Sequence, residues 1–353
     1  MKVLAAMSGG VDSSVAAALL VDEGHQVVGA TMKLWGGPSD SGCCSVSDVD
    51  DARRVCHQLG IDHHVFNYTE EFERHVVAPF VAAYAAGRSP NPCIECNRRI
   101  KFDLLFERAR RLGFDAVATG HHARVMTRDG AHYLVRGADD QKDQSYVLGY
   151  LGEDQLATLL LPIGAMNKSD VRAHAERLGL RTWDKPDSQD VCFIEASKGR
   201  EVFLRQRMDL TPAVIVDRVS GEAIGTTQGA ELMTVGQRRG VVPARDGARR
   251  FVAKVDLGAG RVEVGRLEDV LIDEIALDAS SLTFSHDELV DGSTVLVQWS
   301  AHGAAQRATL HHHGRVHLEL DVPARPVAAG QSVVFYRVSD PTVVEGAAIV
   351  AVS

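Results

Sequence analysis

The chain has 353 residues, of which 45% are hydrophobic, and it carries a formal net charge of −9. This length and apolar content predict a substantial core divided among two or three domains. No signal-peptide core precedes the first apolar stretch and no apolar run is long enough for a bilayer, so we expect a cytoplasmic protein. The acidic balance excludes a basic field over the whole surface. A nucleic-acid partner therefore needs a local basic face, for which the candidates are 98–101, 108–111, 238–239 and 249–250.

The first predicted elements are a strand over residues 2–7 and a helix over 15–21 that Gly24 closes. Between them lies Ser8-Gly9-Gly10-Val11-Asp12-Ser13-Ser14. The glycines let the backbone approach a ligand closely, and the free amides of the helix's first turn attract an anion. Neither a Walker-type Gly-Lys-Ser/Thr nor a Gly-x-Gly-x-x-Gly pattern is present. We therefore predict a pyrophosphate-binding loop in which Mg²⁺ bridges the phosphate oxygens and Asp12.

Strand and helix patterns alternate from residue 1 to about residue 205. Further strands are predicted at 25–32, 65–68 and 115–120, and helices at 47–60, 70–86 and 100–112. Repeated βα units predict a doubly wound parallel sheet whose ligands lie at the carboxyl ends of its strands. Residues 1–205 are thus predicted to form an α/β catalytic domain.

Helical patterns almost vanish after residue 206, and short valine-rich strands recur between glycines. Even spacing with turn residues between strands is typical of small antiparallel barrels. We predict a small central β domain over 206–272 and a C-terminal antiparallel β-barrel over 273–353.

Three of the six cysteines lie in polar loops, where an inert thiol is unusual. Cys93 and Cys96 occur in a proline-rich loop that runs into a helix, and Cys192 occurs in another polar loop. A helix N-terminus stabilises a thiolate, so Cys96 and Cys192 are predicted to be reactive thiols that meet over one site. The alternative is a zinc or iron–sulfur site on Cys93, Cys96 and Cys192. Cys56 is predicted to lie on an apolar helix face.

These motifs together resemble the tRNA-specific 2-thiouridylases, a family of PP-loop ATP pyrophosphatases. The resemblance covers essentially the whole chain. It rests on ordered stretches at 8–14, 29–33, 90–97, 100–102, 118–124, 142–146, 187–194, 234–240 and 330–336. It implies a three-part fold and an enzyme that replaces the C2 oxygen of the wobble uridine of tRNA with sulfur. It also implies that ATP adenylates that oxygen, with release of pyrophosphate and later of AMP.

The resemblance implies a role for each matching residue. ATP is expected at Ala6, Met7, Ser8, Gly9, Gly10, Val11, Asp12, Ser13, Met32 and Gly120. Cys96 is expected to be the nucleophile and Cys192 the persulfide carrier. The tRNA is expected to contact Asn91, Pro92, Cys93, His121, Lys142, Asp143, Gln144 and Gln331. Implied partners are a sulfur-relay protein or cysteine desulfurase as sulfur donor and a reductant for the Cys96–Cys192 disulfide.

The chain departs from the family pattern at Cys93, where many members carry aspartate, and this leaves the acid–base role of that carboxylate open. The segment 297–302 also lacks an arginine-containing tRNA stretch that is common in the family. Two other functions stay open at this point. One is an ammonia-dependent PP-loop ligase, which needs no paired thiols; the other is a non-catalytic RNA-binding or metal-storage module.

Overall fold

The structure is a computed structural model and describes residues 1–35, 45–187, 191–195, 197–243, 247–286, 288–301 and 303–352. Cys43, Cys44 and residues 188–190 of the second cysteine motif lie outside the described residues. The chain forms two compact units. The first contains 1–77, 92–199 and 342–345, and the second contains 78–91, 200–341 and 346–353. The predicted domain boundaries at 205 and 272 stay predictions.

The strands are β1 (Lys2–Ala6), β2 (Gln26–Lys33), β3 (His63–Asn67), β4 (Ala116–Ala118), β5 (Ala123–Arg128), β6 (Ala131–Arg136), β7 (Leu159–Leu160), β8 (Ala213–Asp217), β9 (Ala223–Thr227), β10 (Phe251–Asp256), β11 (Arg261–Gly265), β12 (Ile272–Ala276), β13 (Thr283–Phe284), β14 (Ser293–Gln298), β15 (Gln306–His311), β16 (His317–Ala324), β17 (Ser332–Tyr336) and β18 (Val344–Ile349). The α-helices are α1 (Val11–Asp22), α2 (Val46–Gln58), α3 (Thr69–Phe72), α4 (Ala78–Ala85), α5 (Pro92–Glu95), α6 (Leu105–Arg111), α7 (Ser145–Leu148), α8 (Glu153–Leu156), α9 (Lys168–Arg177), α10 (Gly199–Arg205) and α11 (Leu267–Val270). Two π-helical stretches cover Glu73–Val77 and Cys96–Leu104, and short 3-10 turns cover Ala230–Leu232 and Ala279–Ser281.

A five-stranded parallel sheet forms the centre of the first unit, in the order β3-β2-β1-β4-β7. Its middle strand β1 is almost wholly apolar, and Val3 and Leu4 are fully buried. Burial on both faces is what a parallel sheet covered by helices requires. Helix α1 packs small side chains, including Ala16 and Ala17, into the same core as Val3. The predicted doubly wound α/β architecture is confirmed.

Two helices differ from the sequence predictions. The helix predicted over 70–86 consists of α3, a π-helical stretch and α4, and it ends at Ala85. The helix predicted from residue 100 begins earlier, because the Cys96–Leu104 stretch is already helical with π geometry. Apolar periodicity does not distinguish an α-helix from a π-helix. Short π-helical turns within α-helices often occur at functional sites.

The hairpin of β5 and β6 was not predicted from the sequence. Its strands carry mixed polar and apolar residues, with the burial pattern of a partly exposed ribbon. Such strands lack the strict alternation on which sequence-based strand assignment depends.

In the described part of the chain, two further sheets lie wholly or mostly in the second unit. The smaller sheet has the order β10-β11-β8-β9 and buries Ile215, Val252 and Val262. The positions of β8, β10 and β11 were predicted and that of β9 was not. The expected antiparallel arrangement was wrong for one pair, since β8 and β11 pair in parallel. The larger sheet is antiparallel with the order β12-β16-β15-β14-β17-β18-β13. It curls so that Leu277, after β12, bridges to Val350, after β18, which agrees with the predicted barrel-like C-terminal part.

Among the described residues, no helix combines the length and the apolar character that crossing a bilayer demands.

Candidate active site

The loop between β1 and α1 is held tightly by the start of α2. Gly9 has a φ of 75°, and a Cβ at this position would lie 2.3 Å from the backbone oxygen of Asp48. Lys185 donates to the Gly9 carbonyl at 3.0 Å and to the carboxylates of Asp48 and Asp51 at 2.7 and 2.8 Å. Burial alone would lower the pKa of Lys185, but the two carboxylates raise it above its usual value. Lys185 is therefore protonated, and its hydrogen bonds hold the loop against α2.

The serines of the loop close it on itself and leave the helix end open. Ser13 Oγ lies 3.2 Å from Ser8 Oγ and donates to the Gly10 carbonyl at 3.1 Å. Ser14 Oγ donates to the same carbonyl at 2.8 Å. Gly10 is the N-cap of α1 and supplies no side chain, so the amides of the first turn point outward without a side-chain acceptor. This geometry suits an anion such as a phosphate group.

A cavity of about 190 Å³ lies at the carboxyl ends of β1, β2 and β4. Twelve residues line it: Ala6, Met7, Ser8, Asp12, Ser13, Met32, Leu34, Lys101, Thr119, Gly120, His121 and Gln144. The cavity brings together seven of the residues predicted to bind ATP and two, His121 and Gln144, that were predicted to contact tRNA. Gly9, Gly10 and Val11 belong to the loop but are not among the lining residues. Leu34, Lys101 and Thr119 were not predicted.

Asp12 is paired rather than free. Lys168 Nζ donates to both carboxylate oxygens at 2.7 Å, and His122 Nε2 donates at 3.2 Å. Burial would raise the pKa of Asp12, but the hydrogen bonds from His122 and Lys168 outweigh it and lower that pKa below its usual range. Asp12 is therefore ionised, as a metal-bridging carboxylate must be. In this structure Lys168 occupies the place at Asp12 where Mg²⁺ was predicted.

Lys168 links Asp12 to a second carboxylate, Asp187, at 2.9 Å. Lys142 and Arg172 also contact Asp187, at 2.7 and 2.8 Å. Burial alone would raise the pKa of Asp187, but the hydrogen bonds and charges of Lys142 and Lys168 lower it to about 2. Sequence reasoning missed Lys168, Arg172 and Lys185. One signal was available, because a lysine at the first position of a helix is disfavoured by the helix dipole, and Lys168 begins α9.

The first predicted thiol, Cys96, is buried at the start of the π-helical stretch. Asn97 ties this start to the Val147 carbonyl at 3.1 Å. Further along the same stretch, Lys101 lines the cavity, and the ring of Phe102 packs 5.9 Å from that of His121. The π-helical stretch that begins at Cys96 therefore forms part of the cavity wall. By contrast, Cys93 in α5 is exposed.

The second predicted thiol, Cys192, is half-buried. The next residue, Phe193, packs this segment against the protein core. Phe193 is buried and packs its ring 6.2 Å from Trp35 and 5.8 Å from Phe72. Trp35 follows Leu34, which lines the cavity. The segments that carry Cys96 and Cys192 therefore both contact the end of the sheet at which the cavity lies.

The described residues contain no group of three or more histidine, cysteine, aspartate or glutamate side chains arranged to hold a metal ion. Cys93, Cys96 and Cys192 thus do not form the three-thiolate cluster that an iron–sulfur site on these residues requires, and the residues do not fit that group in this arrangement.

Two family models match the chain. One, described as the tRNA methyl transferase HUP domain, matches residues 1–196, and the other, described as the tRNA methyl transferase PRC-barrel domain, matches residues 201–266. The chain is similar to a protein of Mycobacteroides abscessus described as tRNA-specific 2-thiouridylase MnmA, with 45% identity over 348 residues that cover 96% of this chain and 95% of the relative. A protein of Micrococcus luteus with the same description is 47% identical over 356 residues, which cover 96% and 94% of the two chains. The chain belongs to the tRNA-specific 2-thiouridylase family.

Some of the residues that the family resemblance assigns to tRNA binding already form hydrogen bonds or ion pairs within the protein. The carboxylate of Asp143 is buried and accepts from Arg136, from the Gly137 amide and from both the amide and the hydroxyl of Ser145. Lys142 is paired with Asp187. This member of the tRNA-specific 2-thiouridylase family thus uses two of the assigned side chains to hold its own loop, and their contact with tRNA stays a prediction.

His121 and Gln144 are built into the cavity. His121 Nδ1 shares a hydrogen bond of 2.8 Å with Thr119 Oγ1, and burial lowers the pKa of His121 well below its usual value. His121 is therefore neutral at physiological pH. Gln144 Oε1 accepts from the His122 amide at 2.8 Å, which fixes the amide group in the cavity wall.

In the second unit, Gln331 donates its side-chain amide to the Ser89 carbonyl. Asn91 follows two residues later and is partly buried, and Pro92 is buried at the start of α5. The predicted contacts of Asn91, Pro92, Cys93 and Gln331 with tRNA stay predictions for this family member.

Proposed function

We propose that this chain catalyses the ATP-dependent 2-thiolation of tRNA, in which sulfur replaces the C2 oxygen of the wobble uridine. The observation that carries the proposal is the full-length similarity to proteins described as tRNA-specific 2-thiouridylases. The loop and cavity of the first unit, next to two cysteine-bearing segments, supply the groups that such a reaction needs. We expect the reaction to take place in the cytoplasm, where tRNA is modified.

ATP is the proposed ligand of the loop and cavity. The open amides of α1 suit the phosphates, and the apolar side chains of Met32 and Leu34 suit a flat base. Lys168 and Lys185 carry positive charge at the loop and balance the phosphate charge. On ATP binding, Lys168 is expected to move from Asp12 to a phosphate oxygen, which frees the ionised carboxylate for Mg²⁺. When bound, Mg²⁺ neutralises charge on the departing pyrophosphate.

Activation of the base is the first chemical step. The C2 oxygen of uracil is a poor leaving group until it becomes a phosphoryl ester. The proposed attack of this oxygen on the α-phosphorus forms the O2–P bond and breaks the bond to pyrophosphate, while N3 loses its proton to water. The open amides of the loop are positioned to stabilise the charge on the phosphates during this step. The anticodon loop is single-stranded, so the base is splayed out at low cost.

Sulfur transfer follows from the two thiols. The terminal sulfur of a Cys192 persulfide attacks C2, the C2–S bond forms, and AMP leaves with the oxygen. The Cys96 thiolate then attacks Cys192 Sγ, which breaks the S–S bond, releases 2-thiouridine and forms a Cys96–Cys192 disulfide. In the alternative order, Cys96 attacks first and releases hydrosulfide, which then attacks C2. Both orders leave the same disulfide, which a dithiol protein must reduce before the next turnover.

The test is a reconstitution with the full-length chain, a tRNA transcript, ATP with Mg²⁺, and a cysteine desulfurase with cysteine as sulfur source. Nucleosides from the digested tRNA are then analysed by mass spectrometry. We expect 2-thiouridine in amounts equal to AMP, and none when ATP is omitted. A methylated uridine formed from a methyl donor would instead favour the reaction named in the two family models. Pyrophosphate release that needs ammonia but no tRNA would favour a ligase.

A further inference from the structure

Five exposed arginines of the second unit have no hydrogen-bond or ion-pair partner for their side chains among the described residues. We call them the arginine face: Arg88, Arg238, Arg239, Arg249 and Arg325. By contrast, the neighbouring Arg250 is bound to Asp217 at 2.7 Å. Unpaired guanidinium groups are available to an external anion, whereas a paired group such as that of Arg250 is already neutralised.

The segments that carry Arg88 and Arg325 are joined through Ser89. The Ser89 amide donates to the Ala329 carbonyl at 2.8 Å, and the Ser89 carbonyl accepts from the side-chain amide of Gln331. Ser89 is buried. The backbone next to Arg88 is therefore fixed to the 325–331 segment from both sides.

The turn that carries Arg238 and Arg239 is joined to the other segments. Gly236 and Gln237 exchange backbone hydrogen bonds with Val252, at 2.8 and 3.0 Å, and Val252 lies three residues after Arg249. Ser89 Oγ contacts Thr234 Oγ1 at 3.4 Å. The Gln237 side chain closes the turn by accepting from the Thr234 amide and donating to the Arg239 carbonyl. The arginine face is thus carried on four segments that hydrogen bonds connect one to the next.

Carboxylates are scarce in the sequence around the arginine face, where Asp246 is the single acidic residue between positions 232 and 255. No aspartate or glutamate occurs in 74–94, 232–245, 247–255 or 322–339, although the chain has 47 of them in 353 residues and a net charge of −9. These four stretches include every segment of the face. A local excess of arginine in an acidic protein produces a positive potential that attracts a polyanion.

We infer that the arginine face binds the phosphate backbone of tRNA. Guanidinium groups match phosphate oxygens in a two-pronged geometry, and a preformed scaffold loses little entropy on binding. The chain also runs from Arg88 directly into the segment that carries Cys93 and Cys96. This inference rests on the proposed function, because it concerns how that function's substrate is held, and it assigns contacts to residues that the family resemblance did not.

The experiment measures the binding of a tRNA transcript to full-length R238A/R239A over a series of KCl concentrations. Each lost phosphate contact reduces the slope of log K against log salt by about 0.7 to 0.9. The loss of two contacts reduces the magnitude of the slope by about 1.6. If the variant and the wild type bind equally at 1 M salt, the variant then binds about 40-fold more weakly than the wild type at 0.1 M salt. R88A/R325A is expected to behave in the same way.

The matched control is R53A/R54A, which removes two adjacent exposed arginines from α2 with the same change in net charge. Its slope and affinity are expected to stay at the wild-type values. Wild-type slope and affinity in both arginine-face variants, with an unchanged melting temperature, would overturn the inference while the proposed function stands. Unchanged tRNA binding with impaired sulfur uptake from the donor would overturn it in favour of a protein partner. If the wild-type chain neither binds nor thiolates tRNA, the proposed function itself fails.

Discussion

Replacing Gly9 with alanine tests whether the loop geometry, rather than loop composition alone, is needed for the reaction with ATP. The new Cβ would lie 2.3 Å from the Asp48 oxygen, whereas an ordinary contact begins at 3.4 Å. The loop or the start of α2 must therefore move by roughly 1 Å. Relief by moving α2 is opposed by the Ser45–Asp48 capping box and by Lys185. A displacement of this size in a catalytic loop costs on the order of 100-fold in rate.

Gly24→Ala is the matched control for this prediction. Gly24 also has a positive φ of 81°, but nothing lies within 4 Å of its Cβ position. Both variants carry the cost of a left-handed alanine, about 1–2 kcal/mol of unfolding free energy. Only Gly9→Ala carries the contact with Asp48, so only it is expected to lose tRNA-dependent pyrophosphate release by about 100-fold.

The assay compares kcat/KM for pyrophosphate release at saturating tRNA with the unfolding free energy in urea. Near-wild-type kcat/KM in Gly9→Ala, or an equal loss in both variants, would refute the assignment of the loop as the phosphate site. A stability loss without a kinetic loss would show that the close approach serves folding alone.

Three further predictions concern the thiols and the charged cluster. Cys96→Ala and Cys192→Ala are each expected to abolish 2-thiouridine formation, measured by nucleoside mass spectrometry, while Cys56→Ala leaves it almost unchanged; thiolation that survives in either of the first two variants would rule out the two-thiol mechanism. Asp12→Asn is expected to reduce pyrophosphate release at least tenfold with little change in tRNA affinity, and the reverse pattern would show that the carboxylate serves RNA binding. The pKa of Asp187 is lowered in the folded state to about 2, so its contribution to stability is present above its unfolded value near 3.8 and is lost as the pH falls from about 4 to about 2. Acid unfolding monitored by circular dichroism should be less steep in this window for Asp187→Asn, and an unchanged profile would contradict that assignment.

Local signals in the sequence determined the architecture of the first unit. The apolar run of β1, the glycine–serine loop and the alanine-rich α1 follow one another in the chain, so each was readable without knowledge of distant residues. The carboxyl ends of parallel strands meet at one edge of a sheet, which is why the predicted ATP residues Met32 and Gly120 line the same cavity as the loop. Residues at the carboxyl ends of the parallel strands were therefore predictable, because the common direction of the strands places them at the same edge of the sheet.

Tertiary structure alone decided the partners of the loop. Lys168 reaches Asp12 across 156 positions, and Lys185 reaches Gly9 across 176 positions. No periodicity encodes such a pairing, because it depends on which helix the sheet brings against the loop. The same holds for the parallel pairing of β8 with β11 and for the bond from Gln331 to Ser89. A sequence specifies which residues are charged or apolar, but the sites where charges meet exist only once the sheets have formed.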